Sequence, residues 1–263
     1  MKHYLECYPC FMRQALEAAR MATPLEEVNR DVLGEVARLL AELPSEATPV
    51  EMGLEIHRAI RKRTGDSDPY QEAKRESNRH ALSLYPRLRE HVEASPDPLE
   101  AAVTAAAIGN VMDFGANPDF DLESALEVGL ARGLGNSGFS EFAQRVEDVD
   151  RLLYIGDNAG EIVFDRLLVE ELSARGVKVT FAVRGAPILN DATMEDALDV
   201  GMDRFADVMS SGVLGPGTLL AQGTPEFLEV FQTAPLILAR GQGNYEGLSD
   251  TPAPLFFLLM ALS

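Results

Sequence analysis

The second half of this 263-residue chain alternates short apolar segments with amphipathic stretches of helical length. The segments that predict strands are 152–155, 177–183, 206–209 and 236–239. The stretches that predict helices are 162–174, 192–200 and 225–232. Strands that alternate with helices of this length form a parallel sheet with helices on its faces. The pattern therefore predicts an α/β fold with a mostly parallel sheet.

The first half of the chain predicts helices alone. The candidate helices are 11–22, 25–43, one from about 49, 70–84, 86–94 and 99–111. Loop chemistry separates several of them, as in Thr64-Gly65-Asp66-Ser67-Asp68-Pro69. The change of pattern near 147–151 predicts an all-helical N-terminal region at 1–148 and an α/β region at 149–263.

The charge balance limits the partners of the chain. A formal net charge of -19 repels phosphate backbones, so we expect no nucleic-acid partner. The N-terminus lacks the apolar stretch of an export signal, and the apolar segment Leu255–Leu262 is too short to cross a membrane. We therefore expect a cytoplasmic protein with no membrane partner.

Cys7 and Cys10 are the only cysteines, and they form a Cys-x-x-Cys pair. In a cytosolic protein such a pair indicates redox chemistry or half of a metal site. The four histidines are scattered, so spacing alone assembles no four-ligand zinc site. Two packed thiols at a helix start, a reversible disulfide and an accessory metal role all stay open.

Polar side chains follow two of the predicted strands. The segment after 152–155 is Gly156-Asp157-Asn158-Ala159-Gly160-Glu161, and Asp191 lies in the loop after 177–183. Ligands of open parallel sheets bind outside the carboxyl ends of the strands. A carboxylate beside an amide oxygen offers the hard ligands that Mg²⁺ or Mn²⁺ prefers, and Asp191 on the same edge would complete the site. Aspartates that only cap helices would also occur at positions 157 and 191, so independent helix capping by Asp157 and Asp191 stays open as an alternative.

Two further segments are candidates for contacts with a phosphate or a substrate. Arg240 follows 236–239 and precedes glycines at 241, 243 and 247, which suit a loop that approaches a ligand closely. Arg240 can hold a phosphate through paired hydrogen bonds or balance surface acids. Asn110 and Asp113 are three residues apart and share a helix face, which either faces the sheet edge or is a solvated helix end.

Taken in order, these segments resemble the damage-control phosphatase family, also called domain of unknown function 89, and most closely its archaeal and bacterial branch. The matching pieces are Cys7-Tyr8-Pro9-Cys10, Asp68-Pro69-Tyr70 with Lys74, Gly109-Asn110 with Asp113, Asp157-Asn158-Ala159-Gly160-Glu161, Leu189-Asn190-Asp191-Ala192-Thr193 and Gly241-Gln242-Gly243-Asn244-Tyr245-Glu246. The resemblance implies an all-helical N-terminal part packed on a three-layer α/β/α domain with metal-dependent phosphatase activity.

The resemblance also implies roles by position. Asp157, Asn158 and Asp191 are similar to the family's metal ligands, for which Mn²⁺, Mg²⁺, Co²⁺ and Ni²⁺ are the candidate ions. The implied substrate and phosphate contacts are Asn110, Asp113, Asn190, Arg240, Gly241 and Asn244. Arg240 stands where many relatives have lysine, which keeps the charge but departs from the family pattern.

We therefore expect a metal-dependent phosphomonoester hydrolase that acts on a small phosphorylated metabolite, such as a sugar phosphate or a damaged metabolite. A cation at Asp157 would neutralise phosphate oxygens and lower the pKa of a bound water, while Asp113 or Glu161 would handle a proton. One alternative is an S-adenosylmethionine-dependent carboxyl methyltransferase, although no glycine-rich cofactor loop follows the first strand. The other is a non-enzymatic metal- or metabolite-binding module. The physiological substrate, the metal and the oligomeric state are not determined by the sequence.

Overall fold

The computed structural model describes residues 3–44, 46–109, 134 and 138–259. Within them lies one sheet of five parallel strands: β1 Arg151–Ile155, β2 Lys178–Val183, β3 Ala206–Ser210, β4 Ile237–Arg240 and β5 Leu255–Leu258. The strand order is β3-β2-β1-β4-β5. The predicted parallel sheet is confirmed, and its winding direction changes between β1 and β4.

The described residues form ten α-helices, numbered in chain order. They are α1 Cys7–Ala22, α2 Glu26–Glu42, α3 Pro49–Thr64, α4 Gln71–Ala94, α5 Pro98–Gly109, α6 Phe139–Glu147, α7 Glu161–Ala174, α8 Met194–Asp199, α9 Pro225–Thr233 and α10 Gln242–Leu248. Two short 3₁₀ turns, Met202–Arg204 and Leu220–Gln222, lie between them. None of the helices within the described ranges is both long and apolar enough to span a bilayer.

Helices cover both faces of the sheet because successive strand residues point to opposite sides. Leu152 and Tyr154 lie in the core that also contains the buried residues of α5 and α7. Leu153 and Ile155 lie in the core on the other face, where α9 contributes Phe227. Apolar residues on both sides of β1 therefore produce a three-layer α/β/α arrangement, as the sequence predicted.

The helical half of the chain divides between two cores. Helices α1, α2 and α3 pack around their own apolar cluster, which includes Phe11, Val36 and Ile56. Helices α4, α5 and α6 instead share a core with the sheet, through residues such as Leu88 and Phe142. The core shared with the sheet therefore includes helices on both sides of residue 148, where the pattern changes from helices to alternating elements. A domain boundary at that point stays a prediction.

Two predicted features are wrong in detail. The stretches 70–84 and 86–94 form the single helix α4, with Pro86 inside it. Pro86 has no amide hydrogen to donate to the carbonyl of Leu82, but the buried face of α4 continues on both sides of it. The segment 240–247 was expected to be a loop, but it contains the end of β4 and the short helix α10.

The glycines of α10 are explained by packing. A Cβ at Gly243 would lie 2.0 Å from the carbonyl oxygen of Pro216, and one at Gly247 would lie 2.2 Å from that of Thr218. These glycines therefore let α10 lie directly against the backbone of the loop before α9.

Candidate functional site

The carboxyl ends of the central strands meet where the winding of the sheet changes. Strand β1 is flanked by β2 on one side and by β4 on the other. Asp157 follows β1 by two residues, Arg184 follows β2 directly, and Gly241 follows β4 directly. Crevices at such switch points are the usual ligand sites of open parallel sheets. We call this edge the rim.

Backbone hydrogen bonds join the loops after β1 and β2. The amide of Ala192 donates to the carbonyl of Asp157 at 2.7 Å, and the amide of Ala159 donates to the carbonyl of Asn190 at 2.8 Å. Together they form an antiparallel bridge between the two loops. The expected convergence of the loops that carry Asp157 and Asp191 is confirmed, and main-chain contacts hold it.

The side chains of Asp157 and Asp191 share one guanidinium group. Arg184 donates from Nε to Asp191 Oδ2 at 2.6 Å and from Nη2 to Asp157 Oδ1 at 3.1 Å. Arg184 is 2% exposed, so these charge-assisted contacts are buried. Arg184 was not among the predicted site residues. The signal that identifies it is its position directly after a strand, at the same edge as Asp157.

The other terminal nitrogen of Arg184 contacts α10 and the loop before α9. Its Nη1 donates to Asn244 Oδ1 at 3.0 Å and to Thr218 Oγ1 at 3.3 Å. Asn244 Oδ1 also accepts from the Thr218 hydroxyl, and Asn244 Nδ2 donates to the carbonyls of Gly156 and Arg240. These contacts use every hydrogen-bonding group of the buried Asn244 side chain. Asn244 was expected to contact substrate, but its side chain instead holds Arg184.

Arg240 is buried behind the rim. As the last residue of β4 it donates from Nε to Glu161 Oε2 at 2.9 Å and pairs through Nη1 with Asp165 Oδ1 at 2.9 Å. Its Nη1 also donates to the carbonyl of Ala106 on α5 at 2.6 Å. Arg240 shares its side of the strand with Leu238, which belongs to the core beneath α5 and α7. The alternation of the strand therefore directs Arg240 to internal acids, not to an exposed phosphate or to surface acids.

Glu161 connects Arg240 to Asn158. Its Oε1 accepts from Asn158 Nδ2 at 3.0 Å, while its Oε2 accepts from Arg240. The amide nitrogen of Asn158 is thus turned toward Glu161, and the amide oxygen faces the other way. A ligand oxygen oriented by a hydrogen-bonded neighbour is the usual arrangement around protein metal sites.

Burial raises the pKa values of several acids near the rim. The pKa of Asp157 lies well above its ordinary value, because burial and the nearby Asp191 outweigh Arg184. Burial also raises the pKa of Asp191 against the opposing effect of Arg184. Burial raises the pKa of Asp165 to about 7 despite its ion pair with Arg240. A further positive charge at the rim would favour the ionised forms of Asp157 and Asp191.

Gly241 lies against the Asp157 carboxylate. Its φ is 82°, in the left-handed region, and a Cβ there would lie 1.8 Å from Asp157 Oδ2. Only glycine can adopt this φ without strain and lie this close to the carboxylate without a clash. A close backbone approach was expected of this glycine-rich segment, and here the approach is made to Asp157.

The turn before Asp191 carries Asn190, another of the predicted contacts. The amide of Asp191 donates to the carbonyl of Ile188 at 3.0 Å and closes a turn whose tip is the exposed Asn190. Leu189 in this turn has a φ of 48°, the one positive φ outside glycine among the described residues. The exposure of Asn190 leaves its amide accessible for the expected substrate contact.

Two groups of predicted residues remain. Asn110 and Asp113 fall outside the described residues. Cys7 and Cys10 lie in the first turn of α1 as free thiols, half-buried and exposed respectively. Two surface cavities of about 340 and 370 Å³ border α4 and α8, and neither is lined by Asp157, Asp191 or Arg184.

Known proteins are similar to this chain in sequence and in architecture. Residues 3–263 match the model of the damage-control phosphatase ARMT1-like domain. The chain belongs to this family. Its resemblance to the damage-control phosphatases, inferred above from ordered motifs, is thereby confirmed.

Three archaeal relatives cover nearly the whole chain. An uncharacterized protein of Methanocaldococcus jannaschii is 34% identical over 97% of this chain and 88% of its own length. A protein of Archaeoglobus fulgidus named damage-control phosphatase is 33% identical over 97% of this chain and 90% of its own length. Damage-control phosphatase PH1575 of Pyrococcus horikoshii is 35% identical over 99% of this chain and 91% of its own length.

The fold of this family member is similar to that of a solved relative. The crystal structure of PH1575, described as a DUF89 family protein, superposes with a TM-score of 0.91 at 34% sequence identity. The match covers 98% of this chain and 91% of that one. The whole described architecture, helical half included, is therefore shared.

The donor set at the rim fits the divalent metal that the family resemblance implied. Near the rim the described residues hold four buried acids, Asp157, Glu161, Asp165 and Asp191, against two buried guanidinium groups, those of Arg184 and Arg240. When all are ionised, this set has an excess of negative charge that a divalent cation would balance.

The candidate donor set combines carboxylates with an amide. Within the described ranges no three histidine, cysteine or acidic side chains are grouped as a metal site. The candidate set is two carboxylates and one amide oxygen, from Asp157, Asp191 and Asn158. Hard oxygen donors of these types suit Mg²⁺ and Mn²⁺.

Proposed function

We propose that this protein is a divalent-metal-dependent phosphatase that hydrolyses small phosphorylated metabolites. The observation that carries the proposal is the convergence of Asp157, Asn158 and Asp191 at the rim, amid an excess of buried acids. Two relatives are named damage-control phosphatases, which supports the same activity. We propose sugar phosphates or damaged phosphorylated metabolites as the substrate class.

Asp157, Asn158 and Asp191 would hold the cation through their oxygens. Arg184 engages Asp157 Oδ1 and Asp191 Oδ2, so each carboxylate has its second oxygen outside these contacts. Mn²⁺, Mg²⁺, Co²⁺ and Ni²⁺ are the candidates. When bound, such an ion supplies positive charge to phosphate oxygens and makes a nearby water more acidic.

The surrounding residues orient this donor set. Arg184 fixes both carboxylates, and Glu161 turns the Asn158 amide so that its oxygen faces away from Glu161. Arg240 in turn holds Glu161 from the core. Groups that are held in place before the substrate arrives need little reorganisation during the reaction, which is where electrostatic catalysis gains most.

The substrate would approach the exposed side of the rim, where Asn190 lies. In the reaction a water oxygen bonds to phosphorus and the ester P–O bond breaks. The attacking water loses one proton, and the departing alcohol oxygen gains one in balance. Both oxygens of Glu161 accept hydrogen bonds from Asn158 and Arg240, so we assign Glu161 a positioning role instead of proton transfer. Asp113, the other expected proton carrier, lies outside the described residues.

A phosphate-release screen tests the proposal. The protein is freed of metal with a chelator and then assayed on sugar phosphates and nucleotides, with each candidate ion in turn. We expect release from at least one small phosphate ester with a divalent ion, and none with chelator present. No release from any ester with any ion, or release that the chelator leaves unchanged, overturns the proposal.

A pair of variants assigns the activity to the rim. Asp191→Asn removes one proposed ligand charge and is expected to lower metal-dependent activity by more than about tenfold. Asp199→Asn makes the same change at an exposed position on α8 and is expected to leave activity unchanged. Equal activity in Asp191→Asn and the wild-type protein rejects the ligand assignment.

A further inference from the structure

One side chain of the helical half contacts the loop of Asp157 and the helix that follows the loop of Asp191. Asn78 on α4 accepts a hydrogen bond at Oδ1 from the amide of Gly160, at 2.6 Å. Its Nδ2 donates to Asp196 Oδ1 at 3.3 Å. Gly160 lies in the loop of Asp157, and Asp196 lies in the first turn of α8, five residues after Asp191.

Asp196 transmits this contact to the chain near Asp191. Its Oδ2 accepts from the amide and the hydroxyl of Thr193, at 2.9 and 2.8 Å, in the capping box that begins α8. Thr193 is separated from Asp191 only by Ala192, whose amide makes the bridge to the loop of Asp157. A shift of Asp196 therefore moves the segment that orients Asp191.

Lys74, one turn before Asn78 on α4, supplies a positive charge to this cluster of acids. Its Nζ lies 3.2 Å from Asp196 Oδ2 and 2.9 Å from Asp68 Oδ2, and the side chain is 3% exposed. A buried ammonium is costly unless it is paired and hydrogen-bonded, and both acids meet that need. Lys74 therefore ties α4 to α8 and to the loop before α4.

The buried face of α4 changes character toward the rim. The buried positions along this face are Lys74, Asn78, Ala81, Tyr85, Leu88 and Val92. The later positions pack apolar or aromatic side chains against the sheet core. Apolar residues would also satisfy packing at the first two positions, and burying polar groups there is costly unless they are bonded. Packing alone therefore does not account for Lys74 and Asn78.

We propose that Asn78 and Lys74 are positioning residues of the metal site, so that α4 sets the spacing between the loop of Asp157 and the loop of Asp191. The inference rests on the proposed function, since it concerns the ligands assigned there. Neither residue contacts Asp157, Asn158 or Asp191 directly through a described side-chain hydrogen bond. Their effect passes through Gly160 and Asp196.

Mn²⁺ binding to the intact, metal-stripped protein tests this role without an activity assay. Asn78→Ala removes the contacts to Gly160 and Asp196, and we expect its Kd for Mn²⁺ to rise by about tenfold or more, the usual effect of losing a partner behind a metal ligand. Asn78→Asp keeps the size and the acceptor for Gly160 but loses the donor to Asp196, and we expect a similar loss. Asn78→Asp also serves if Asn78→Ala folds poorly.

Two controls separate positioning from general destabilisation. Leu88 lies on the same buried face of α4 and belongs to the core shared with the sheet, so Leu88→Ala removes core packing. Arg79→Ala removes an exposed neighbour of Asn78 that pairs with Glu72. We expect both controls to bind Mn²⁺ within about twofold of the wild-type Kd, even though Leu88→Ala is less stable.

The outcomes are distinguishable. Wild-type affinity in Asn78→Ala and Asn78→Asp, or an equal loss in Leu88→Ala, overturns the positioning role and leaves the proposed function standing. A wild-type protein that binds no Mn²⁺, Mg²⁺, Co²⁺ or Ni²⁺ overturns the proposed function and this inference with it.

Discussion

The carbonyl of Asp157 accepts a hydrogen bond of 2.7 Å from the amide of Ala192, the residue that follows Asp191. This main-chain contact brings two acids 34 positions apart in the sequence to the same rim. The arrangement therefore does not depend on the carboxylates themselves, and each can be replaced without removing the bond that joins the loops.

The first prediction concerns these carboxylates. Asp157→Asn keeps the size and the backbone contact but removes one negative charge, so we expect metal affinity to fall by more than about tenfold. The free energy of unfolding of the metal-free protein should change by less than about 2 kcal/mol, because an amide oxygen can still accept from Arg184. Calorimetric titration with Mn²⁺ and urea denaturation in chelator measure the two effects. Unchanged affinity would refute the assignment of Asp157 as a ligand.

The second prediction separates backbone strain from a clash with the site. Gly241 and Gly176 both have positive φ, 82° and 85°, but only Gly241 has a neighbour in the way of a Cβ, namely Asp157. Gly176→Ala should cost about 1 kcal/mol of stability and leave activity intact. Gly241→Ala should have the same strain and also displace the Asp157 carboxylate, so activity and Mn²⁺ affinity should be lost.

Thermal unfolding and phosphate release, measured side by side on the two alanine variants, check this comparison. Equal activity in both variants would show that the contact between Gly241 and Asp157 has no functional weight.

The third prediction concerns the buried cation behind the rim. Arg240→Met leaves Glu161 and Asp165 without their guanidinium partner, and breaking such a buried pair costs about 3–5 kcal/mol. Arg240→Lys keeps the charge, but a single ammonium does not reproduce the contacts to both acids and to the carbonyl of Ala106. We therefore expect the order of stability to be wild type, then Lys, then Met, by urea denaturation. A Met variant as stable as the wild type would contradict the buried ion pair.

The fourth prediction concerns pH. Burial raises the pKa of Asp165 from 3.8 to about 7 in the folded protein, so the folded state binds this proton more tightly than the unfolded chain. Such a group stabilises the fold at low pH, and its contribution is lost as the pH rises through the window from about 4 to about 7. Asp165→Asn should therefore flatten the decline of unfolding free energy across this window.

Urea denaturation of chelator-treated protein at several pH values measures that slope. Asp203→Asn, at an exposed acid, is the matched control and should follow the wild-type profile. If the unfolding free energy of Asp165→Asn depended on pH as that of the wild-type protein does, Asp165 would not titrate in this range.

Most of the sheet was predictable because its signals are local. Segments such as 152–155 and 177–183 are apolar and bounded by turn residues, and the structure has β1 and β2 there. Asp157 and Asp191 could be assigned to one edge because both follow strands of a parallel sheet. The predicted break at Pro86 was wrong. A proline is a local signal for the end of a helix, but the buried face of α4 continues across Pro86 and stabilises one helix.

The partners of the predicted site residues were not predictable, because they depend on side-chain direction and on contacts far apart in the sequence. The sequence predicted a loop at Arg240, but the alternation of β4 turns its side chain into the core. Arg184 bridges two acids that no spacing rule joins to it. Asn78 reaches Gly160 across 82 positions, through the packing of α4 on the α/β half.

We propose that Asp157, Asn158 and Asp191 hold one divalent cation at the rim. Anomalous diffraction at the manganese absorption edge, from crystals grown with Mn²⁺, tests it most directly. We expect one anomalous peak within about 2.5 Å of an oxygen from each of the three residues. The absence of a peak between Asp157 and Asp191, with strong manganese peaks elsewhere on the chain, would contradict the account.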